Sequence, residues 1–344
     1  MTGAVPAGAA AGPAGPAFLA VDGGNSKTLA VVVDAGGRVL GRGRGGRGDI
    51  YGAPTVPEAV DAVLGAVRAA LAEAGVAPAD LRASAFRLAG VDWPEDAALW
   101  DERLTAGLPG LGARSIKNDG FASLRLVDGT GVGLSITVGT GPALAARAPD
   151  GTEECSGMFV FHDLGGAGLG NSGLTAVHLA WMGLGPRTAL TPALLELYGA
   201  ADGHDLRHRF TRRFGALPET ERWRAARVVL AAASDGDPVA AGIVEQQARA
   251  FVGYAQWTAR RVGVDLASGE LPVLLNGSVV TSEHPAMRDA LLAGLAEAAP
   301  AATVAVATAP PLTGVVLDAL AEGGVAAGPA LLGRVAHPPE FLHT

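Results

Sequence analysis

The sequence predicts an α/β protein made of two similarly built domains, and three observations carry that expectation. Residues 18–33 and 133–148 repeat one plan: a short apolar strand, a glycine turn bearing a hydroxyl, and a second strand. Elsewhere apolar residues recur at helical spacing, so strands and helices share the chain. The length of 344 residues suits two domains of roughly 150 residues each.

Taken in order, residues 1–16 are Gly, Ala and Pro with almost nothing to bury, and read as a mobile tail. Residues 18–21, 29–33 and 39–42 read as three strands joined by glycine-rich turns. Val60, Val63, Leu64, Val67 and Leu71 share one face of a helix over 56–74. A strand at 83–88, a helix at 95–105 and a strand at 114–117 follow, the last ending at Asn118-Asp119-Gly120, with a helix beginning near Phe121. In the second block, strand 133–138 turns at Gly139-Thr140-Gly141 into strand 143–148, with a further turn near Asp150-Gly151. Residues 172–262 read mainly as helices, and 271–275 as a buried strand ending in Asn276-Gly277-Ser278. A helix at 285–298, a strand at 303–307 and a last helix from near Pro311 complete the pattern.

Composition narrows the function classes. Hydrophobic residues make up 49% and aromatics only 5%, so the core is expected to be built from Ala, Val and Leu. The net charge of −8, with arginines scattered, argues against a nucleic-acid binder. Cys155 is the only cysteine, which excludes an internal disulfide and a cysteine-built zinc or iron–sulfur site within one chain. The first positive charge is Lys27, so the basic start of a signal peptide is missing, and no apolar run is long enough to span a membrane. A cytoplasmic location is expected.

Three glycine turns end apolar strands: Asp22-Gly23-Gly24, Gly139-Thr140-Gly141 and Asn276-Gly277-Ser278. Each alone is an ordinary turn, and Asp-Gly is a common hairpin signal. Together they suit a Mg-nucleotide, because glycines let backbone N–H groups approach phosphate oxygens and an Asp holds the metal. Two other nucleotide motifs fail. Lys27-Thr28 follows Ser26, not the glycine a P-loop requires, and Gly168-Leu169-Gly170-Asn171-Ser172-Gly173 is followed by a second helical stretch, 188–197 with Glu196 inside it, where a dinucleotide fold needs a strand and an acidic residue. Asp119 ends a strand, where it suits either a catalytic base facing the ligand crevice or a cap for the next helix. His162-Asp163 lacks a third metal ligand and reads as a loop pair, and Asp92-Trp93-Pro94 as a helix start. Cys155 reads as a small buried residue.

In order and spacing these segments resemble the BadF-type ATPases, and within them the N-acetylglucosamine kinase branch of the actin, hexokinase and sugar-kinase superfamily. The matching pieces are residues 21–28, Leu88-Ala89-Gly90-Val91-Asp92, Asn118-Asp119, Thr137-Val138-Gly139-Thr140-Gly141-Pro142, Asn276-Gly277-Ser278 and residues 311–317. The resemblance implies two ribonuclease-H-like domains with ATP and a sugar between them, at 17–117 (completed by a C-terminal helix at about 311–330) and at 118–310. By the same analogy Asp22 serves Mg2+, while Gly23, Gly24, Asn25, Ser26, Lys27, Thr28, Gly139, Thr140 and Gly141 hold phosphates. Gly277 and Ser278 lie against the adenosine, and Asp119 is the catalytic base. A homodimer is also expected.

The departures lie on the sugar side, where the resemblance assigns Asp49, Gly90, Asn118, Gly157, Met158 and Asp163. The family often shows Gly-Trp-Gly followed by Gly-Asp-Glu-Gly-Ser; here Met158 replaces the Trp and Leu164 the Glu, while Asp163 is kept. Asp49 stands where the family often has an Asn, and a carboxylate only accepts hydrogen bonds and adds charge. That suggests an acceptor with a free amine or extra hydroxyls, such as glucosamine or an aminocyclitol. Two other classes stay open: a non-catalytic nucleotide or sugar sensor, and an ATP-driven dehydratase activator, which needs two cysteines per chain.

Overall fold

The computed structural model describes residues 15–335 and 337–342, so the expected tail at 1–16 lies almost wholly outside the described residues. The chain divides into two compact units, one reaching Gly131 and resuming at Ala309, the other Val132–Thr308. The first break falls beyond the expected 117/118 boundary, because the 3-10 turn Asp119–Leu126 packs on the first unit's own strands and C-terminal helix. That turn also stands where an α-helix from near Phe121 was expected.

The first unit is a five-stranded sheet: β1 (Ala17–Gly23), β2 (Thr28–Asp34), β3 (Val39–Gly45), β4 (Leu81–Leu88) and β5 (Arg114–Asn118), in the order β3-β2-β1-β4-β5. β1, β2 and β3 pair antiparallel, and β1, β4 and β5 parallel. The continuous apolar runs of β1 and β2 follow from burial on both faces. Leu19, Val21, Ala30 and Val32 pack toward helix α1 (Val56–Ala74), with α2 (Pro94–Gly107) in the same core. Phe18, Ala20, Leu29, Val31 and Val33 pack instead against the C-terminal helix Pro311–Glu322, which belongs to this unit. Gly41, Gly43 and Gly45 face Ala70, Ala66 and Ala62 of α1, and a Cβ at any of the three would overlap the helix backbone. Arg87 of β4 is fully buried, paired with Asp318 and Glu322 at 2.8 Å each, which ties the C-terminal helix to the sheet.

The second unit repeats the topology with β6 (Gly133–Val138), β7 (Pro142–Arg147), β8 (Glu153–Cys155), β9 (Val273–Asn276) and β10 (Val304–Val306), in the order β10-β9-β6-β7-β8. β6, β7 and β8 are antiparallel, while β6, β9 and β10 are parallel. Strand β8 was not anticipated; Cys155 at its end is half-exposed, not buried. Helices α3 (Gly165–Trp181), α4 (Leu190–Tyr198), α5 (Gly203–Thr211), α6 (Ala225–Ser234), α7 (Pro238–Arg261) and α8 (Ala286–Ala298) complete the unit. The 168–173 glycine motif lies inside α3, not at a strand-to-helix turn. No helix among the described residues is long and apolar enough to cross a membrane.

Candidate active site

In the first unit, parallel pairing brings the C-terminal ends of β1, β4 and β5 side by side: Asp22 registers with Arg87, and Leu88 with Asn118. Ligands of α/β sheets sit at such strand ends. The β1–β2 turn is closed by Gly24 N–H donating to the Lys27 carbonyl at 2.9 Å, and Gly48 N–H reaches the Gly24 carbonyl at 3.1 Å. This second bond seats the loop carrying Asp49 against the turn. Thr28 is fully buried, with its hydroxyl bonded to the Gly46 carbonyl at 2.9 Å, so it braces the turn from inside. The Lys27 ammonium donates to the Leu342 carbonyl of the last helical turn, Pro339–Leu342. Asn25 Oδ1 is buried with no partner among the described residues, while its backbone carbonyl accepts Arg47 Nε at 2.7 Å.

Asn118, not Asp119, provides the side-chain cap here. The cap of the 3-10 turn is Asn118, whose Oδ1 accepts Gly120 N–H at 2.8 Å. Its Nδ2 donates to Asp92 Oδ1 at 2.8 Å. Both ends of the Asn118 amide are thereby fixed, and Asp119 is spared the capping role. From Asp92 a chain of bonds continues outward: Asp96 Oδ2 accepts Asp92 N–H at 3.1 Å and Trp93 N–H at 2.9 Å, and Asp96 Oδ1 accepts the Tyr51 hydroxyl at 2.9 Å. Tyr51 N–H in turn donates to Asp49 Oδ1 at 2.9 Å. Asp49 is thus linked to Asn118 through Tyr51, Asp96 and Asp92.

The electrostatics of this corner are those of crowded carboxylates. Burial, with Asp22, Asp49 and Asp92 nearby, pushes the Asp119 carboxyl up to about 7. Burial raises Asp22 to about 6 against the opposing pull of Lys27, and burial with Asp96 and Asp49 raises Asp92 to about 6. Near neutral pH such a group takes up or releases a proton readily. Asp22, Asp49, Gly90, Asn118 and Asp119 are therefore brought together. Asp92, Asp96 and Tyr51 belong with them and were not picked from sequence. In sequence Asp92 was visible as a helix start and as the end of the matching segment 88–92, while the structure puts the cap of α2 at Trp93.

The second unit holds a different kind of site. A cavity of about 700 Å3 is lined by Gly139, Thr140, Gly166, Trp223, Arg227, Ser278 and Glu283, among others. Gly166 N–H donates to the Gly139 carbonyl at 2.8 Å and Ala167 N–H to the Thr140 carbonyl at 2.9 Å, stitching the start of α3 to the β6–β7 turn. Gly277, at φ +95°, lies over the Val138 backbone where any Cβ would overlap. Val279 N–H bonds the Val138 carbonyl at 3.0 Å, so the β9 turn is folded onto the end of β6. Gly139 and Thr140 thus share one cavity with Ser278. Trp223, Arg227 and its ion-pair partner Glu283 were missed, because a Trp and an Arg at a helix start carry no distinctive spacing.

The remaining sugar-side residues are scattered over this unit. Gly157 backs onto the Pro142 carbonyl, and Met158 is half-buried in the 3-10 turn Gly157–Phe159. Asp163 is exposed, accepts Asn171 Nδ2 at 2.6 Å, and lines a separate cavity of about 570 Å3 with His178, Trp181 and Arg222. His162 is exposed, its ring 6.2 Å from that of Tyr254.

No family model and no curated protein matches the chain. Among solved structures, it is similar to a candidate N-acetylglucosamine kinase from Chromobacterium violaceum at 24% identity and TM-score 0.65, over 89% of this chain and 99% of that one. A candidate N-acetylglucosamine kinase from Porphyromonas gingivalis matches at 19% identity and TM-score 0.64, over 89% and 99%. A ROK-family glucokinase from Streptomyces griseus, solved with glucose and AMPPNP, matches at 21% and TM-score 0.53, over 88% and 98%. At these identities the likeness establishes the fold alone: the chain shares with these proteins its plan of two α/β units, each built on a five-stranded sheet.

Proposed function

We propose that the chain is an ATP-dependent sugar kinase of the BadF type, transferring the γ-phosphoryl group of Mg-ATP to a hydroxyl of a small cyclic acceptor. The observation that carries this reading is Asp119: a strand-end carboxylate spared the side-chain cap by Asn118, its carboxyl pushed up to about 7 by burial and by its acidic neighbours. As its anion, Asp119 accepts the proton of the acceptor hydroxyl while that oxygen attacks the γ-phosphorus. The bond from phosphorus to the β–γ bridging oxygen breaks, and ADP leaves.

The β1–β2 turn, Gly23–Thr28, and the turn at Gly139–Gly141 are the phosphate-facing segments in this reading. The cavity lined by Thr140, Trp223 and Ser278 is the nucleoside side. Its volume lies within the range of small-molecule sites. A carboxylate is a donor that a hard divalent cation takes, and in this reading the buried Asp22 would hold Mg2+. When bound, that ion supplies charge neutralisation on the phosphate oxygens.

The acceptor is read from Asp49. It is buried, and its carboxylate lies in the field of Asp92 and Asp119. A ligand donor, hydroxyl or ammonium, is the complement of such a group. Glucosamine or an aminocyclitol is favoured over N-acetylglucosamine. An ATP-consumption screen over amino sugars, hexoses and cyclitols decides the matter, with Asp119→Asn as control. Turnover with an amine-bearing acceptor that disappears in Asp119→Asn is expected. Sugar and ATP binding without turnover in the wild type would instead indicate a sensor.

A further inference from the structure

Tyr51 is out of keeping with its surroundings. The residue is 63% exposed, yet both of its hydrogen-bond donors are tied. The backbone N–H is held by Asp49 and the phenolic O–H by Asp96, at 2.9 Å each, and Asp96 is itself 5% exposed and anchored to the start of α2. An ordinary surface tyrosine sends its hydroxyl to water and changes rotamer freely. Here a buried carboxylate takes the hydroxyl and leaves the apolar ring held in place facing solvent, which gains little for folding.

The position of the ring gives that arrangement a use. A Cβ on Gly90 would come within 3.1 Å of Tyr51 Cδ2 and 2.6 Å of Asp49 Oδ1, so the ring and the carboxylate meet at one corner. Asp49 in turn lies in the electrostatic field of Asp119. An apolar aromatic surface beside an acceptor-only carboxylate complements a saturated ring with a C–H face and hydroxyl or ammonium donors on its rim.

We propose that Tyr51 is an acceptor-binding and specificity-determining residue, its ring carrying the C–H face of a cyclic polyol whose donors reach Asp49. The assignment rests on the sugar-kinase reading of this site. It also names an aromatic contact on a different element from Met158, where the related proteins often have their Trp.

The test compares wild type, Tyr51→Phe and Tyr51→Ala by steady-state kinetics with the best acceptor of the screen, and by calorimetric titration of the same sugar. With the ring removed, the acceptor KM rises about ten-fold or more while the ATP KM stays within about two-fold. The Phe variant keeps the ring but loses its tether, and shows a smaller rise of about two- to five-fold. An unchanged acceptor KM in Tyr51→Ala, with an active wild type, overturns the Tyr51 assignment and leaves the kinase reading standing. Sugar binding without turnover, weakened in Tyr51→Ala, overturns the kinase reading and keeps the contact. No sugar bound and none phosphorylated overturns both.

Discussion

The two units share one strand order but furnish the same strand ends in opposite ways. In the first, the ends of β1, β4 and β5 carry or lead into Asp22, Asp92, Asn118 and Asp119. In the second, β6, β9 and β10 end at Val138, Asn276 and Val306, followed by glycine turns or an alanine. One scaffold is thus dressed with charge and the other with close backbone approach and an open cavity. The contrast teaches that the fold fixes where a ligand can lie, while the residues at the strand ends decide what is done to it.

The largest effect expected from that contrast is on turnover. Asp119→Asn keeps the size and shape of the first unit's key side chain but removes its basicity, and kcat is expected to fall by about 10²- to 10⁴-fold. The KM for ATP should stay close to wild type, because the cavity of the second unit is untouched. A coupled ADP-release assay measures both. Loss of ATP affinity with kcat preserved would reverse the assignment of roles to the two units.

Gly277→Ala attacks the other side. A Cβ at φ +95° would overlap the Val138 backbone, so strain and displacement together are expected to cost about 1–3 kcal/mol of stability. The displaced turn carries Ser278, so the KM for ATP rises while the acceptor KM holds. Chemical denaturation and kinetics read the two parts.

Asn118→Ala is milder and sharpens the comparison within the first unit. It removes the cap on Gly120 N–H and the tether to Asp92, so stability falls by about 1 kcal/mol. Asp119 then loses its fixed starting point, and kcat is expected to drop by about ten-fold. Asn118→Asp retains an oxygen for the cap but sets a carboxylate against Asp92. A variant of that kind with wild-type kcat would show that the cap alone positions Asp119.

Much of this was legible in the sequence, for definite reasons. Phe18–Val21 and Leu29–Val33 are runs that only a sheet covered on both faces accommodates, and helix α1 shows its buried stripe directly. Asp22 stood out because it ends such a run, whereas Asp119 follows the half-buried Arg114–Asn118, suits a cap by its own residues, and was singled out as a base only through the resemblance. Asp92 and Asp96 were hidden behind an adequate local explanation, the start of α2, and nothing local shows that the same carboxylates reach Asn118 and Tyr51. Strand β8 is three residues of Glu-Glu-Cys with no alternation to read, and it is defined by its pairing with β7. The boundary at Gly131 was missed for a similar reason: the chain leaves β5 at once, but its 3-10 turn packs back on the unit it came from.

The smallest expected effect is also the one that separates charge from architecture. Asp22, Asp92 and Asp119 all have carboxyls raised in the folded protein above their ordinary value near 4. Between about pH 4 and pH 7 the unfolded chain has already released these protons while the folded chain still holds them. The folded state therefore binds more protons, and unfolding free energy must fall as pH rises across that window. Replacing Asp119 by Asn removes the highest of the three and relieves the others. The variant is therefore expected to gain about 1 kcal/mol over wild type at pH 8, a figure kept small because Asp119, though packed in by its surroundings, is only half-buried by surface and so partly screened by solvent. The gain should shrink to a small fraction by about pH 4, where the folded carboxyls are protonated and the unfolded ones about half so. Mg2+ should narrow the difference at pH 8 by stabilising the wild-type carboxylates selectively. Thermal melts of the two proteins at pH 4 and pH 8, with and without Mg2+, make the measurement. A wild type more stable than Asp119→Asn at pH 8 without the metal would mean that Asp119 is held by attraction, not crowded by its neighbours, and the first unit would then be no more strained than the second.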